Sequence, residues 1–231
     1  MIPRRVNGGF LAKPEGRLLD ALVTRVPASI GPDMLTGIGI FGAMLGSLGF
    51  AMGLTSALSL LLVFVGFALN WLGDSLDGKI ARHRGIERKV QGFILDNGVD
   101  LISYTLICLG FVLSGLVSTA IPFLLLAFYM LLSNLALARM LITGVHNLAL
   151  DAMGTTELRV CFLALAVLLY LFPDFFQAIV PLLEASVLDC LSVLWACIML
   201  LNFGFVLRRD LRGARAADER QARAAAERTE D

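Results

Sequence analysis

The stretch Leu101–Ala138 constrains the fold more than any other part of the chain, because its 38 consecutive residues carry no charged side chain. A membrane-spanning helix needs about 20 apolar residues, so this stretch is too long for one span and predicts two. Ser114-Gly115 through Pro122 is the natural break between them. The whole chain is 58% hydrophobic and 16% charged, whereas soluble domains are about 45–50% apolar and about 25% charged. This composition excludes an ordinary soluble domain and a disordered chain, and it predicts a polytopic helical membrane protein.

The predicted fold is all-α, with six membrane-spanning helices. The first of the two spans within the long stretch must begin near Val90 to reach full length. Four other apolar runs are long enough to be spans or nearly so. They are Met34–Leu54, Thr55–Gly73, Thr155–Phe172 and Leu191–Leu207, the last of which needs residues from near Glu184.

The chain is predicted to have three parts. Residues 1–31 form an N-terminal cytoplasmic segment, residues 32–207 the six-helix membrane domain, and residues 208–231 a charged cytoplasmic tail. Within the first part, residues 14–28 place Leu18, Leu22 and Val26 on one helical stripe, with Leu19 and Val23 adjacent to it. This pattern predicts an amphipathic helix at the membrane interface, with a loosely ordered tail as the alternative.

The positive charges are all predicted to lie on one side of the membrane. With six spans, all 19 Lys and Arg residues fall at the chain ends or in the connections on one side. The positive-inside rule places that side in the cytoplasm, which predicts a multi-pass protein of the cell (inner) membrane with both termini cytoplasmic. The formal net charge of zero argues against a nucleic-acid partner.

Two pairs of aspartates stand near the cytoplasmic ends of consecutive predicted helices. Asp74 and Asp77 are three residues apart, and Asp96 and Asp100 are four apart, so each pair lies on one helix face. Buried carboxylates at membrane depth are costly and need a cation to compensate them. An all-oxygen site suits Mg²⁺ or Mn²⁺, and four aspartates suffice for two ions, an arrangement typical of phosphoryl displacement. The alternative is that the aspartates mark solvated helix ends paired with neighbouring arginines.

The same stretch resembles a known family. It reads Asp74-x-x-Asp77-Gly78-x-x-Ala81-Arg82, then nine residues, then Gly92-x-x-x-Asp96-x-x-x-Asp100. All eight positions match the signature of the class I CDP-alcohol phosphotransferases. The resemblance implies a phospholipid-synthesis transferase that moves a phosphatidyl or related group from a CDP-alcohol, such as CDP-diacylglycerol, to the hydroxyl of a polar alcohol. CMP is the leaving group.

The resemblance also implies roles for individual residues. Asp74, Asp77 and Asp96 are expected to bind Mg²⁺ or Mn²⁺, with two ions in the site. Asp100 is expected to be the catalytic base and a further metal ligand. The residues expected to contact the CDP part of the substrate are Gly78, Arg82, Asp33, Thr36, Ala81 and Arg88.

The acceptor alcohol is not identified by the sequence. Arg139 and Arg159 stand at the cytoplasmic ends of apolar helices, and in similar proteins cations at comparable places bind a phosphorylated acceptor. Snorkelling of both side chains to the membrane interface is the alternative. Whether the acceptor carries a phosphate is therefore left open.

Two other functional classes are compatible with parts of the sequence. A membrane cation transporter could use the same aspartates as an ion site, and a non-catalytic scaffold subunit could have the same apolar spans. The transporter is disfavoured because the acidic residues are confined to one end of the spans, and the scaffold leaves the motif unexplained. The resemblance further implies a homodimer. Glycines at helical spacing in the first span, from Gly42 to Gly53, predict only close helix packing.

Overall fold

The protein is almost entirely helical. The structure is a computed structural model that describes residues 4–6, 11–143, 145–147 and 155–230. In that part of the chain the helices are α1 (Ala12–Val23), α2 (Pro32–Ala51), α3 (Ala57–His83), α4 (Lys89–Ser114), α5 (Ala120–Thr143), α6 (Thr155–Leu171), α7 (Pro173–Gln177) and α8 (Val187–Glu230). Two short pairs of strands accompany them: β1 (Arg4–Val6) with β2 (Val145–Asn147), which are parallel, and β3 (Ile179–Val180) with β4 (Ala185–Ser186), which are antiparallel.

Five of the described helices are long and apolar enough to cross a membrane. They are α2, α3, α4, α5 and the part of α8 up to Arg215. The predicted fifth span corresponds to α6, which has 17 residues and is about 26 Å long at about 1.5 Å per residue. The helical fold is thus confirmed, whereas the count of six spans stays a prediction. Beyond Leu207, α8 continues as an unbroken helix into the charged region predicted to be a tail.

The helix boundaries near the aspartates follow local sequence signals. α3 begins at a capping box in which the side chain of Ser56 accepts from the backbone N–H of Ser59. It ends just before Gly85, whose φ of +67° is readily adopted only by glycine. The chain then turns directly into α4, which begins one residue before the predicted Val90. α4 ends at Ser114, where the sequence predicts the break.

Helices α2 and α3 pack with their backbones in direct contact. A Cβ atom added at Gly66 would lie 2.3 Å from the backbone nitrogen of Gly46, and one at Gly73 would lie 2.4 Å from that of Gly39. The predicted packing role of the α2 glycines is therefore confirmed, except that Gly53 lies beyond the helix. This contact sets the aspartates of α3 beside the first turns of α2.

Two apolar clusters hold the helices together. In the larger one the rings of Phe50 and Phe111 stack with centroids 4.3 Å apart. The smaller cluster packs α1 onto α2 and α3 through buried apolar side chains: Leu19, Val23, Leu35, Leu76 and Ile80. Leu22 and Val26 of the predicted stripe pack against this cluster beside the buried Leu19 and Val23, whereas Leu18 is 49% exposed. Whether α1 also contacts a membrane surface stays a prediction.

Candidate active site

A cavity of about 680 Å³ lies at one end of the helix bundle. α2, α4 and α6 begin there, α3 ends there, and α1 forms one wall. The polar and charged side chains in its lining come from all of these helices and from the turn between α3 and α4. They include Glu15, Asp33, Thr36, Asp74, Asp77, Arg82, Arg88, Asp96, Thr156 and Glu157.

Three of the four motif aspartates line this cavity. Asp77 accepts a hydrogen bond from Thr36 Oγ1 at 2.6 Å and another from the backbone N–H of Gly78. Asp74 and Asp96 are both close enough to Asp77 to repel its charge. Asp100 lies one turn further along α4 and is not one of the described residues that line the cavity.

A buried arginine compensates the deeper part of this acidic cluster. Arg159 on α6 donates from Nη2 to Asp74 Oδ2 at 2.7 Å, and the same nitrogen is 3.9 Å from Asp100 Oδ1. The Arg159 side chain is only 6% exposed. Its Nη1 is buried and has no hydrogen-bond partner among the described residues. Arg159 is therefore part of the acidic site, and interfacial snorkelling does not describe its position.

Asn70 orients this arginine and is a site residue to which the sequence assigns no role. Its Oδ1 accepts from Arg159 Nε at 2.8 Å, while its Nδ2 donates to the carbonyl oxygen of Gly39 and to Ser103 Oγ. The one available signal was an amide inside an apolar span, one turn before Asp74, because polar groups at such depth are usually functional.

The donor chemistry of the cavity fits a hard divalent cation. Asp74, Asp77 and Asp96 supply carboxylate oxygens from two helices to one space, which is the ligand type that Mg²⁺ and Mn²⁺ prefer. In the part of the chain that the structure describes, no three His, Cys, Asp or Glu side chains lie close enough together to hold an ion. Two of the aspartates are hydrogen-bonded to protein groups instead: Asp74 accepts from Arg159, and Asp77 accepts from Thr36.

The residues predicted to contact the CDP part are brought together. All six line the cavity. Gly78 lies directly beside the Arg82 guanidinium, because a Cβ atom added at the glycine would be 3.4 Å from Arg82 Nη1. Asp33, in the first turn of α2, forms an ion pair with Arg88 across the cavity mouth.

The two predicted acceptor arginines have different surroundings. Arg159 belongs to the acidic site, whereas Arg139 on α5 forms an ion pair with Asp210 on α8. Arg139 is not one of the described residues that line the cavity. An acceptor role for Arg139 therefore stays a prediction.

The lining also includes residues that the sequence did not single out as functional. Glu15, on α1, and Thr156 and Glu157, in the first turn of α6, face the same space as the aspartates. No local pattern marks them, because their importance depends on the docking of α1 against α6.

The family model for CDP-alcohol phosphatidyltransferases matches residues 30–201, well over half of the chain. The chain belongs to the CDP-alcohol phosphatidyltransferase family. As a member of this family it is a membrane enzyme of phospholipid synthesis, and the matched region contains the whole aspartate motif. No curated protein matches the sequence significantly.

A solved structure shares the fold of this CDP-alcohol phosphatidyltransferase. It is the phosphatidylinositol phosphate synthase of Mycobacterium tuberculosis with CDP-DAG bound. The two chains are 22% identical, with a TM-score of 0.53, and the alignment covers 85% of this chain and 93% of the synthase. At this identity the likeness concerns the fold and does not identify the acceptor.

Proposed function

We propose that the protein transfers a phosphatidyl or related phospho-alcohol group from a CDP-alcohol such as CDP-diacylglycerol to the hydroxyl of a polar alcohol, with release of CMP. The observation that carries this proposal is the cavity itself. Three motif aspartates line it together with the glycine, alanine and arginine of the motif. A space of about 680 Å³ is within the usual range for a ligand of nucleotide size.

The aspartates are proposed to hold two Mg²⁺ or Mn²⁺ ions. Asp74, Asp77 and Asp96 are the ligands, with Asp100 as a further one. When bound, the divalent cations neutralise the negative charge of the pyrophosphate and of the departing CMP. Thr36 orients Asp77 through its hydrogen bond, which is the way outer partners of metal ligands usually act.

Asp100 is proposed as the base. It accepts the proton of the acceptor hydroxyl, whose oxygen forms a bond to the phosphorus on the lipid side while the bond from that phosphorus to the CMP oxygen breaks. Its place beside Arg159, 3.9 Å from the nitrogen that also pairs with Asp74, supports this role, because it puts the proposed base within the acidic cluster. Gly78 and Arg82 bind the CDP part, with Asp33, Thr36, Ala81 and Arg88 around them.

The surroundings of Arg159 favour an acceptor alcohol that carries a phosphate. Its Nη1 is a buried donor without a described partner, and a phosphate oxygen is a suitable acceptor for such a group. Arg139 is the second candidate for this role.

The membrane arrangement is also part of the proposal. α6 is the remaining span of a six-helix domain over residues 32–207, flanked by the N-terminal segment 1–31 and the charged tail 208–231. Both termini and the cavity face the cytoplasm, where CDP is soluble, while the acyl chains stay in the bilayer. The enzyme acts as a homodimer in the cell (inner) membrane.

An acceptor screen tests this function. Purified protein is supplied with CDP-diacylglycerol, Mg²⁺ or Mn²⁺, and in turn serine, glycerol 3-phosphate, inositol, inositol phosphate and choline, and CMP is measured. We expect acceptor-dependent CMP release that a chelator abolishes. Cation flux into vesicles without any CMP release would instead support the transporter.

A further inference from the structure

Helix α1 forms one wall of the cavity, although it lies outside the motif. Ala12, Glu15, Gly16 and Leu19 all belong to the lining. Leu19 is also buried against α2 and α3 in the smaller apolar cluster. The side of α1 that faces the protein is therefore both a packing surface and part of the site.

The Glu15 carboxylate connects α1 to two other helices. Its Oε1 accepts from Trp71 Nε1 at 2.8 Å and from Ser75 Oγ at 3.3 Å, both on α3. The same oxygen accepts from Thr156 Oγ1, on α6, at 2.7 Å. Ser75 directly follows Asp74, and Thr156 lies one turn before Arg159, so Glu15 joins the two segments that carry the central ion pair.

A second carboxylate makes the reverse connection. Glu157 on α6 is 3% exposed, and its Oε1 accepts from the backbone N–H of Leu11, the residue that caps the start of α1, at 2.8 Å. Two hydrogen bonds thus join α1 to α6: one is accepted by the Glu15 side chain of α1, and the other by the Glu157 side chain of α6. We refer to Leu11, Glu15, Thr156 and Glu157 together as the clasp.

The chemistry of Glu15 argues against direct contact with the reacting groups. Its bonded oxygen is taken by three protein donors, and an anionic side chain repels the pyrophosphate of a CDP-alcohol. Its position and its partners suit a different task, which is to hold a wall of the site in place before the substrate arrives.

We propose that Glu15 is a positioning residue that docks α1 against α3 and α6 and so preforms the wall of the substrate cavity. The effect expected on substrate affinity rests on the proposed function. A wall that is ordered in advance spares the substrate the cost of ordering it on binding, and the benefit is therefore in affinity. The chemical step depends on other residues and is largely unaffected.

The kinetic test separates positioning from catalysis and from stability. Glu15→Ala and Thr156→Val are expected to raise the KM for the CDP-alcohol at least about tenfold, since Thr156→Val removes one hydrogen bond to a charged group and Glu15→Ala removes that bond and two others. The kcat per folded enzyme is expected to change less than about twofold. Glu15→Gln, which keeps an acceptor oxygen without the charge, should have a smaller effect, and Thr156→Ser should restore a normal KM.

Matched controls make the result specific to the clasp. Lys13→Gln removes one charge from the same turn of α1 at an exposed position outside the cavity lining and should leave KM unchanged. The double variant of Glu15→Ala with Thr156→Val should be no worse than the worse single variant, because both remove the same contact. Additive effects, or a fall in kcat at normal KM, would overturn the inference.

Hydrogen exchange gives a readout that needs no turnover. In Glu15→Ala and Thr156→Val, amides of Ala12–Val23 are expected to exchange several-fold faster, while those of Pro32–Ala51 keep their protection. If no CDP-alcohol reacts but α1 loosens in this way, the proposed function fails and the docking role stands. Unchanged exchange in α1 would sink the docking role even if the enzyme were active.

Discussion

The guanidinium of Arg159 on α6 donates to the carboxylate of Asp74 on α3 at 2.7 Å, inside the helix bundle and almost out of contact with solvent. Breaking a buried ion pair from one side leaves an uncompensated charge and commonly costs about 3–5 kcal/mol. Arg159 thus balances the charge of the acidic cluster. The proposed divalent cation, bound by the same carboxylates, would supply the same kind of compensation.

Arg159→Gln is therefore expected to lower the Tm of the metal-free protein in detergent by about 5 °C or more. Added Mg²⁺ or Mn²⁺ should raise the Tm of this variant more than that of the parent, because the ion replaces the missing positive charge beside Asp74 and Asp100. Arg139→Gln is the matched control, since it breaks an ion pair with Asp210 away from the cavity. An equal metal-induced rise in both variants would contradict this account of Arg159.

Asp100→Asn is expected to reduce kcat by about 10²–10⁴-fold, the usual contribution of a general base. The amide keeps the size of the side chain but does not take up the proton of the acceptor hydroxyl. Binding of the CDP-alcohol and the Tm should stay close to those of the parent. Asp174→Asn, at an exposed position in α7, controls for loss of a carboxylate. Near-normal turnover by Asp100→Asn would remove Asp100 from the role of base.

Thr36→Val should weaken metal binding although it removes no metal ligand. It deletes the 2.6 Å hydrogen bond that orients Asp77, and loss of such partners typically weakens metal binding about 10–100-fold. The measurement is the Mg²⁺ or Mn²⁺ concentration for half-maximal CMP release. Thr36→Ser keeps the hydroxyl and serves as the control. The same metal dependence in Thr36→Val and the parent would show that Asp77 needs no such support.

Gly66→Ala is expected to destabilise the protein by about 3 kcal/mol, since the added methyl group would lie 2.3 Å from a backbone atom of α2, and two helix backbones would have to shift to accommodate it. Gly37→Ala is the control within α2, because nothing lies within 4 Å of the added atom. It should be neutral or stabilising by up to about 1 kcal/mol. Thermal unfolding in detergent distinguishes the two, and similar Tm values for both variants would argue against the close packing of α2 and α3.

Local features were predictable because they depend on neighbours in the sequence. The break at Ser114, the start of α4 near Val90 and the grouping of the aspartates all follow from runs of apolar residues or from spacings of three and four. The predicted CDP contacts also line one cavity, since most of them belong to a motif on a single helix and the turn that follows it.

Contacts between distant segments could not be predicted in this way. Arg159 and Asp74 are 85 positions apart, and Glu15 and Thr156 are 141 apart. Nothing in the sequence around Arg139 and Arg159 distinguishes them, yet one enters the acidic site and the other pairs with Asp210. The amphipathic pattern of α1 likewise predicted a helix at the membrane interface without indicating that the helix becomes a wall of the cavity.

The sequence by itself determined that the chain is a bundle of apolar helices and that its four motif aspartates form two pairs, each on one face of consecutive helices, because hydrophobic runs and helical periodicity are local properties. The tertiary structure alone decided which cation compensates those aspartates and which helix closes their cavity. Those choices depend on how helices remote in sequence pack together, and the backbone contact between the glycines of α2 and α3 sets that packing around the site.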